Sequence, residues 1–202
     1  MKIGPKYKIA KRLGATVFEK TMSQKFAIAK ERSEKTRKRG RGPSEFGKQL
    51  LEKQKVRLTY GLSEKQFANY VAEAMETRGV PPVETLHKLL EIRLDSVVYR
   101  LGLAKTRRAS RQMVSHGHIT VNGVKSTIPS RRMRQGDVVA IRDGSKSSVM
   151  FEGLAEKLAE RPTPSWLSWD VKQMSGSLAD MPTAASADPA GDLGAVLSFY
   201  SR

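Results

Sequence analysis

The sequence predicts an α+β protein in which a small antiparallel sheet packs on helices. Three observations predict it. Apolar residues recur at i, i+3, i+4 and i+7 in successive runs between residues 44 and 101, the period of amphipathic helices. Beyond Gly102 the short run Ile119-Thr120-Val121 reads as a strand, and the Asn122-Gly123 pair after it suits a type I′ hairpin turn. A second turn, Gly136-Asp137, precedes the apolar strand Val138-Val139-Ala140-Ile141.

Taken in order, residues 1–43 are cationic and poor in hydrophobic periodicity. The tract Lys35-Thr36-Arg37-Lys38-Arg39-Gly40-Arg41-Gly42-Pro43 has nothing to bury, so a basic extended N-terminal arm is expected. Ser44 caps a helix running to Tyr60, with Gly61 as its stop and a modest stripe of Leu50, Leu51 and Leu58. Ser63 and Gln66 form a capping box for a second helix, on which Phe67, Tyr70, Val71, Ala74 and Met75 share one face. Gly79 and Pro81-Pro82 end it. Leu86, Leu89, Leu90, Leu94, Val97, Val98 and Leu101 predict a third helix, continuous up to Gly102.

Thr106 caps a short helix over 105–115, and Arg107, Arg108 and Arg111 fall within an arc of about 100° opposite Ala109 and Met113. A second basic cluster, Arg131, Arg132 and Arg134, lies between the predicted strands. Glu152–Arg161 predicts another helix. Residues 173–192 are rich in Gly, Pro, Ser and Ala and predict a loop, and the apolar Leu193–Tyr200 should dock on the body.

The chain of 202 residues has a formal net charge of +17, unevenly spread. Residues 1–60 hold 18 Lys/Arg against 5 Asp/Glu, residues 61–150 hold 15 against 8, and residues 151–202 hold 4 against 7. A basic face held on a helix and a hairpin points to a polyanion, most often a nucleic acid. There is no cysteine, which excludes disulfides and thiolate metal sites. No apolar run approaches the roughly 20 residues of a spanning helix, and MKIGPKYKIAKRLG has no signal-peptide core. The N-terminus is basic enough to raise a transit peptide, against which Gly4, Pro5 and Gly14 weigh.

Catalytic and metal chemistry finds little support. Gly42-Pro43-Ser44-Glu45-Phe46-Gly47-Lys48-Gln49 nearly matches a phosphate-binding loop, but Gln49 stands where a magnesium-binding hydroxyl belongs and no apolar strand precedes it. Arg93-Leu94-Asp95 is similar to the motif around the catalytic aspartate of pseudouridine synthases; the plainer expectation is that Asp95 stabilises a helix turn and pairs with a nearby arginine. His87 is expected on the surface of the third helix, and no histidine spacing suits zinc. His116 and His118 are either ordinary turn residues or groups that donate to phosphate or stack on a base. Tyr60, Phe67, Tyr70, Trp166 and Trp169 read as core.

Four segments in order then identify a family: Gly4-Pro5-Lys6 with Arg12 and Gly14; FGKQLLEKQKVRLTYG (46–61) with Glu64, Gln66, Phe67 and Tyr70; LLEIRLDSVVYRLGLA (89–104); and ASRQMVSHGHITVNG (109–123) with Ile128-Pro129-Ser130 and Gly136-Asp137-Val138. Pro164-Ser165-Trp166-Leu167 and the terminal Phe199-Tyr200-Ser201-Arg202 also match. From Gly4 to its end the chain resembles bacterial-type small-subunit ribosomal protein four.

The resemblance implies a helical domain interrupted by a small RNA-binding domain of helices plus antiparallel sheet. It divides the chain into a basic arm (1–43), a helical domain (44–92, with 193–202 returning to it), an RNA-binding domain (93–155) and a C-terminal extension and loop (156–192). It implies a non-enzymatic ribosomal component that binds a multi-helix junction in the 5′ domain of small-subunit rRNA, nucleates assembly of the subunit body and contributes to accuracy. Its partners would be that rRNA, ribosomal protein five of the same subunit, and messenger RNA (mRNA) where it enters the subunit. Its location would be the cytoplasmic ribosome, without membrane or small-molecule substrate.

Matched residue by residue, Lys6, Lys8, Lys11 and Arg12 would meet rRNA phosphates, as would Lys53, Lys55 and Arg57. Arg107, Arg108, Arg111, Gln112, His116 and Lys125 would form the surface of the RNA-binding domain. Lys35, Arg37, Lys38, Arg131 and Arg132 are further rRNA-binding candidates, and Arg39 and Arg41 would face the mRNA. Two features depart from the family. Zinc-containing members carry four cysteines in the arm and this chain has none, so no metal or other cofactor is expected. Ala184–Gly194 is unusually rich in Gly, Ala and Pro, which argues against a long terminal helix.

Overall fold

A computed structural model describes residues 3–35, 42, 44–153, 158, 163–170, 173–183 and 190–201, with residues 33–35 as backbone only. The chain divides into two compact units, Met1–Leu86 with Pro189–Arg202, and His87–Asp188. The predicted α+β class holds.

The first unit is helical: α1 (Lys6–Leu13), two 3-10 turns (Ala15–Val17 and Glu19–Met22), α2 (Gln24–Lys35), α3 (Glu45–Thr59) and α4 (Glu64–Glu76). The structure corrects the expectation of an extended arm, since α1 and α2 occupy much of residues 1–35. Ile9, Ala10 and Leu13 lie among the cations of α1, and Ala10, Val17, Phe18 and Phe26 close together around Leu58 of α3. The basic tract at 36–41 and Pro43 lies outside the described residues. Ser44 caps α3 by accepting from the Gly47 amide at 3.2 Å, and Ser63 caps α4 by accepting from the Gln66 amide at 3.3 Å. Each such cap contributes about 1 kcal/mol.

Helix α5 (Pro82–Glu91) contains the boundary between the units. The second unit continues with α6 (Leu94–Arg100), α7 (Arg107–Ser115), β1 (Ile119–Val121), β2 (Val124–Ser126), β3 (Val138–Ile141), the single turn α8 (Asp143–Lys146), a 3-10 turn (Val149–Phe151), β4 (Leu167–Asp170) and β5 (Ser175–Leu178). The last helix, α9 (Leu193–Tyr200), belongs to the first unit.

The continuous third helix is corrected to two, α5 and α6. The apolar period runs on unbroken, but Arg93 is extended (φ −66°, ψ 140°) and bridges Arg132. Backbone bonds from Leu94 to Arg131 O (2.8 Å), from Asp95 to Pro129 O (3.1 Å) and from Met133 to Ile92 O (2.8 Å) sew segment 129–133 onto this break. His87, expected on the surface, is fully buried.

The sheet runs β2-β1-β3-β5-β4, all antiparallel. Val121 pairs with Val124 across Asn122 (φ 51°) and Gly123 (φ 79°), the two positive φ values of a type I′ turn. The loop expected over 173–192 is corrected in part, since Ser175–Leu178 is a strand between β3 and β4. Gly176 lacks the side chain that would meet Leu101, and that close approach replaces the alternating pattern by which a strand is normally read. Trp166 is buried beside Leu94, Val98, Met113, Ile119 and Ile141, and Trp169 packs against this core. Of the expected helix Glu152–Arg161, residues 154–157 and 159–161 lie outside the described residues.

The terminus docks as expected. Asp192 caps α9 by accepting from the Ala195 amide at 3.0 Å, and its own amide donates to Glu52 Oε2 at 3.0 Å. The Phe46 and Phe199 ring centroids lie 5.4 Å apart. At 8 residues α9 is short.

Candidate nucleic-acid interface

In the second unit α7 organises the basic surface. Thr106 accepts from the Ala109 amide at 3.0 Å and so starts the helix. Ser110, Met113 and Val114 are buried on one side. The flanking arginines do not all face outward. Arg107 Nη2 donates to Glu91 Oε1 at 3.2 Å, its guanidinium lies 4.7 Å from the Tyr99 ring centroid, and Nη1 donates to Ser96 Oγ at 3.2 Å. Arg100 grips the same carboxylate through two bonds of 2.9 and 2.8 Å. Arg111 holds Asp95.

Glu91 is fully buried and Asp95 is 5 % exposed, so both carboxylates depend on these arginines for their charge balance. The expectation that Asp95 sits in a helix turn and pairs with arginine is met. Glu91 was invisible as an organising residue; in sequence it is one more polar residue at the end of an apolar run.

The side chains left outward are Arg108, Gln112 and His116, which succeed one another at spacing i, i+4, i+8 along α7 and its C-cap. Lys125 of β2 is also exposed, and its aliphatic stem lies across Gly117, between the two histidines. The hairpin thereby brings Lys125 to the C-terminal end of α7. His118 Nδ1 lies 3.0 Å from Ser145 Oγ. Arg131 and Arg132 are exposed on the segment sewn to the α5–α6 break, next to the carboxylate that takes Arg111. Lys105 and Arg134 are exposed likewise. Among the described residues the side chains of Lys105, Arg108, Lys125, Arg131 and Arg134 form no ion pair.

In the first unit, Lys8, Lys11 and Arg12 are exposed on one side of α1, while Lys6 lies 5.7 Å from the Phe18 ring centroid. The three cations of α3 are differently placed from the free phosphate contacts expected. Lys53 is buried, 2.6 Å from Glu64 Oε1 and 4.5 Å from the Phe199 ring centroid. Arg57 Nε lies 3.2 Å from Glu64 Oε2, and Lys55 pairs with Glu52 at 3.4 Å. Tyr200 donates to Glu64 Oε1 at 2.8 Å. Burial alone would push the Glu64 carboxyl up, but the hydrogen bonds from Lys53 and Tyr200 and the charges of Lys53 and Arg57 outweigh it and hold the group below its ordinary value. The Tyr200 phenol is pushed up, first by burial and then by Glu64. This cluster fastens α9 to α3 and α4.

The Lys35 side chain, Arg37, Lys38, Arg39 and Arg41 lie outside the described residues. No group of three or more acidic or histidine side chains suited to a metal occurs among the described residues. No described helix is long and apolar enough to cross a membrane.

Comparison with known proteins identifies two family regions in the chain. A family described as the ribosomal protein S4/S9 N-terminal domain matches residues 1–91, and the S4 domain matches residues 92–139. The small ribosomal subunit protein uS4 of Hahella chejuensis is 41% identical over 204 residues, covering 99% of this chain and 98% of that protein. The proteins of the same name from Burkholderia ambifaria and Burkholderia vietnamiensis are 40% and 42% identical over 206 and 208 residues, with the same coverage.

Proposed function

Since the chain belongs to the family of small ribosomal subunit protein uS4, we propose that it binds a multi-helix junction in the 5′ domain of small-subunit rRNA and nucleates assembly of the subunit body. At the coarser level, it is a structural component of the small ribosomal subunit with an S4 RNA-binding domain. The observation that supports the finer reading is the set of exposed cations, Arg108, Lys125, Arg131 and Arg134, whose side chains form no ion pair among the described residues and which are fixed to a folded frame. Charges held at set positions match a shape, whereas a flexible tail matches only a charge density. Junction geometry is what they would read, because the deep groove of A-form RNA hides base edges from side chains.

Lys8, Lys11 and Arg12 of α1 form a second phosphate-binding group in this reading. Lys53, Lys55 and Arg57 act through structure, holding the helices on which the outer cations sit. By family resemblance, ribosomal protein five is the neighbour, Arg39 and Arg41 face the incoming mRNA, and the protein contributes to translational accuracy. The role is non-enzymatic. Asp95, in the motif similar to that of pseudouridine synthases, is paired with Arg93 and Arg111.

The test is binding of the purified chain to a 5′-domain rRNA fragment, against a structured RNA of equal length, across salt. A saturable preference that persists at physiological salt is expected. Equal affinity for both RNAs, lost together as salt rises, would overturn the reading.

A further inference from the structure

We propose that the groove between α7 and the 3-10 turn Val149–Phe151 receives a single unpaired nucleobase of the bound RNA. This deepens the RNA-binding reading and rests on it. The groove has a volume of about 480 Å³, within the range that holds small planar ligands. Ala109, Met113 and Met150 supply apolar surface, and Lys105, Gln112 and His116 line it beside them. Positions 109, 112, 113 and 116 succeed one another along one side of α7 and its C-cap, so apolar and polar contacts are presented together by a single rigid element.

The occupant follows from that mixture. Val149 is 83% exposed and Met150 53%, so apolar surface stands uncovered beside the groove. A purely apolar partner would leave the Gln112 amide and the His116 imidazole unmatched. A free phosphate would leave the exposed Met150 thioether unmatched. A nucleotide satisfies both: its flat ring lies against thioether and imidazole, its edge meets the donor and acceptor of Gln112, and its phosphate lies near Lys105 and Arg108. The base must be unpaired, because a paired base is already stacked and its edge is occupied.

Salt distinguishes stacking from phosphate contact. A phosphate contact releases a counterion and sets the slope of affinity against salt; a stacked base does not. With the full chain and the 5′-domain rRNA fragment, from about 50 to about 200 mM salt, Met150→Ala and Gln112→Ala should each weaken binding about tenfold at every salt, with the slope unchanged. Arg108→Ala should instead lower the slope by about one. Both Met150 and Gln112 are exposed, so these variants fold. Wild-type affinity in the Met150→Ala, Gln112→Ala double variant would overturn the groove assignment and leave the ribosomal reading intact.

If the wild-type chain shows no preference for the rRNA fragment, the ribosomal reading fails, and the groove is decided on the free protein. Adenosine monophosphate should then shift the Met113 and Met150 methyl resonances where ribose 5-phosphate does not. Equal shifts, or none, would overturn it.

Discussion

Arg111 holds one oxygen of Asp95 with two donors, Nε at 2.9 Å and Nη2 at 2.7 Å, while Arg93 grips the same carboxylate through Nε at 3.0 Å and Nη2 at 2.9 Å. One carboxylate therefore balances two guanidiniums, and the surplus positive charge stays at the foot of α7. A few residues away Glu91 does the same for Arg100 and Arg107. The acids do not cancel the basic surface. They clamp α7 against α6 and thereby set where its outward cations lie.

Asp95→Asn should accordingly be a stability defect. Arg93 is 2 % exposed and would lose its counter-charge, a change that costs about 3–5 kcal/mol when a buried pair is broken. Chemical denaturation should show the loss. RNA binding measured where the variant remains folded should fall far less. Unchanged stability with an abolished RNA-modifying activity would instead revive Asp95 as a catalytic group.

Neighbouring arginines on α7 should behave oppositely. Arg107→Ala removes a donor from the fully buried Glu91 and should destabilise by about 2 kcal/mol. Arg108 is exposed, so Arg108→Ala should leave the denaturation midpoint unchanged within about 0.5 kcal/mol. Denaturant titration of the two variants checks the split; equal midpoints would mean that Arg107 contributes nothing as a strut.

How much of this was legible follows from which interactions are local. Ser44, Ser63 and Thr106 cap their helices as their positions suggest, because a cap depends on residues three apart. Asn122-Gly123 turns the hairpin for the same reason. The α5–α6 break was hidden, since the extended Arg93 is held by a bridge to Arg132, far away in sequence. Strand β5 was hidden because its partners are β3 and β4 and its Gly176 has no side chain to show a pattern. Basicity pointed to the proposed interface, but it could not say that Lys53 and Arg107 turn inward, because their acidic partners Glu64 and Glu91 lie 11 and 16 residues away.

The attachment of α9 should be acid-sensitive. Glu64 has a folded value below its ordinary 4.5, so its contribution is fully present above that pH and is lost as pH falls through the folded value. Melting temperatures of wild type and Glu64→Gln should differ near pH 7 and converge as pH falls through the folded value. Tyr200→Phe removes one hydrogen bond to Glu64 and should cost about 1 kcal/mol near neutrality. The raised Tyr200 phenol works in the other direction: its contribution persists below the ordinary value of 10.0 and is lost only as pH rises through the folded one. A pH-independent gap between wild type and Glu64→Gln would refute the assignment of this ion cluster.

Gly117→Ala should affect the interface and the turn together. Gly117 has φ 74°, a left-handed conformation that costs a residue with a Cβ about 1 kcal/mol. A methyl group there would also collide with Lys125 Cε, the stem that carries that cation across to α7. Relief of the collision needs only the flexible lysine to move, so the fold should survive with a loss near the backbone term alone. Lys125, however, would no longer lie beside His116. Lys125→Ala leaves Gly117 as it is and isolates the contribution of the charge. If Lys125 acts from its perch, both variants should weaken binding to the rRNA fragment similarly, and only Gly117→Ala should lower the melting temperature. If Gly117→Ala binds as wild type while Lys125→Ala does not, the charge matters and its position across the glycine does not.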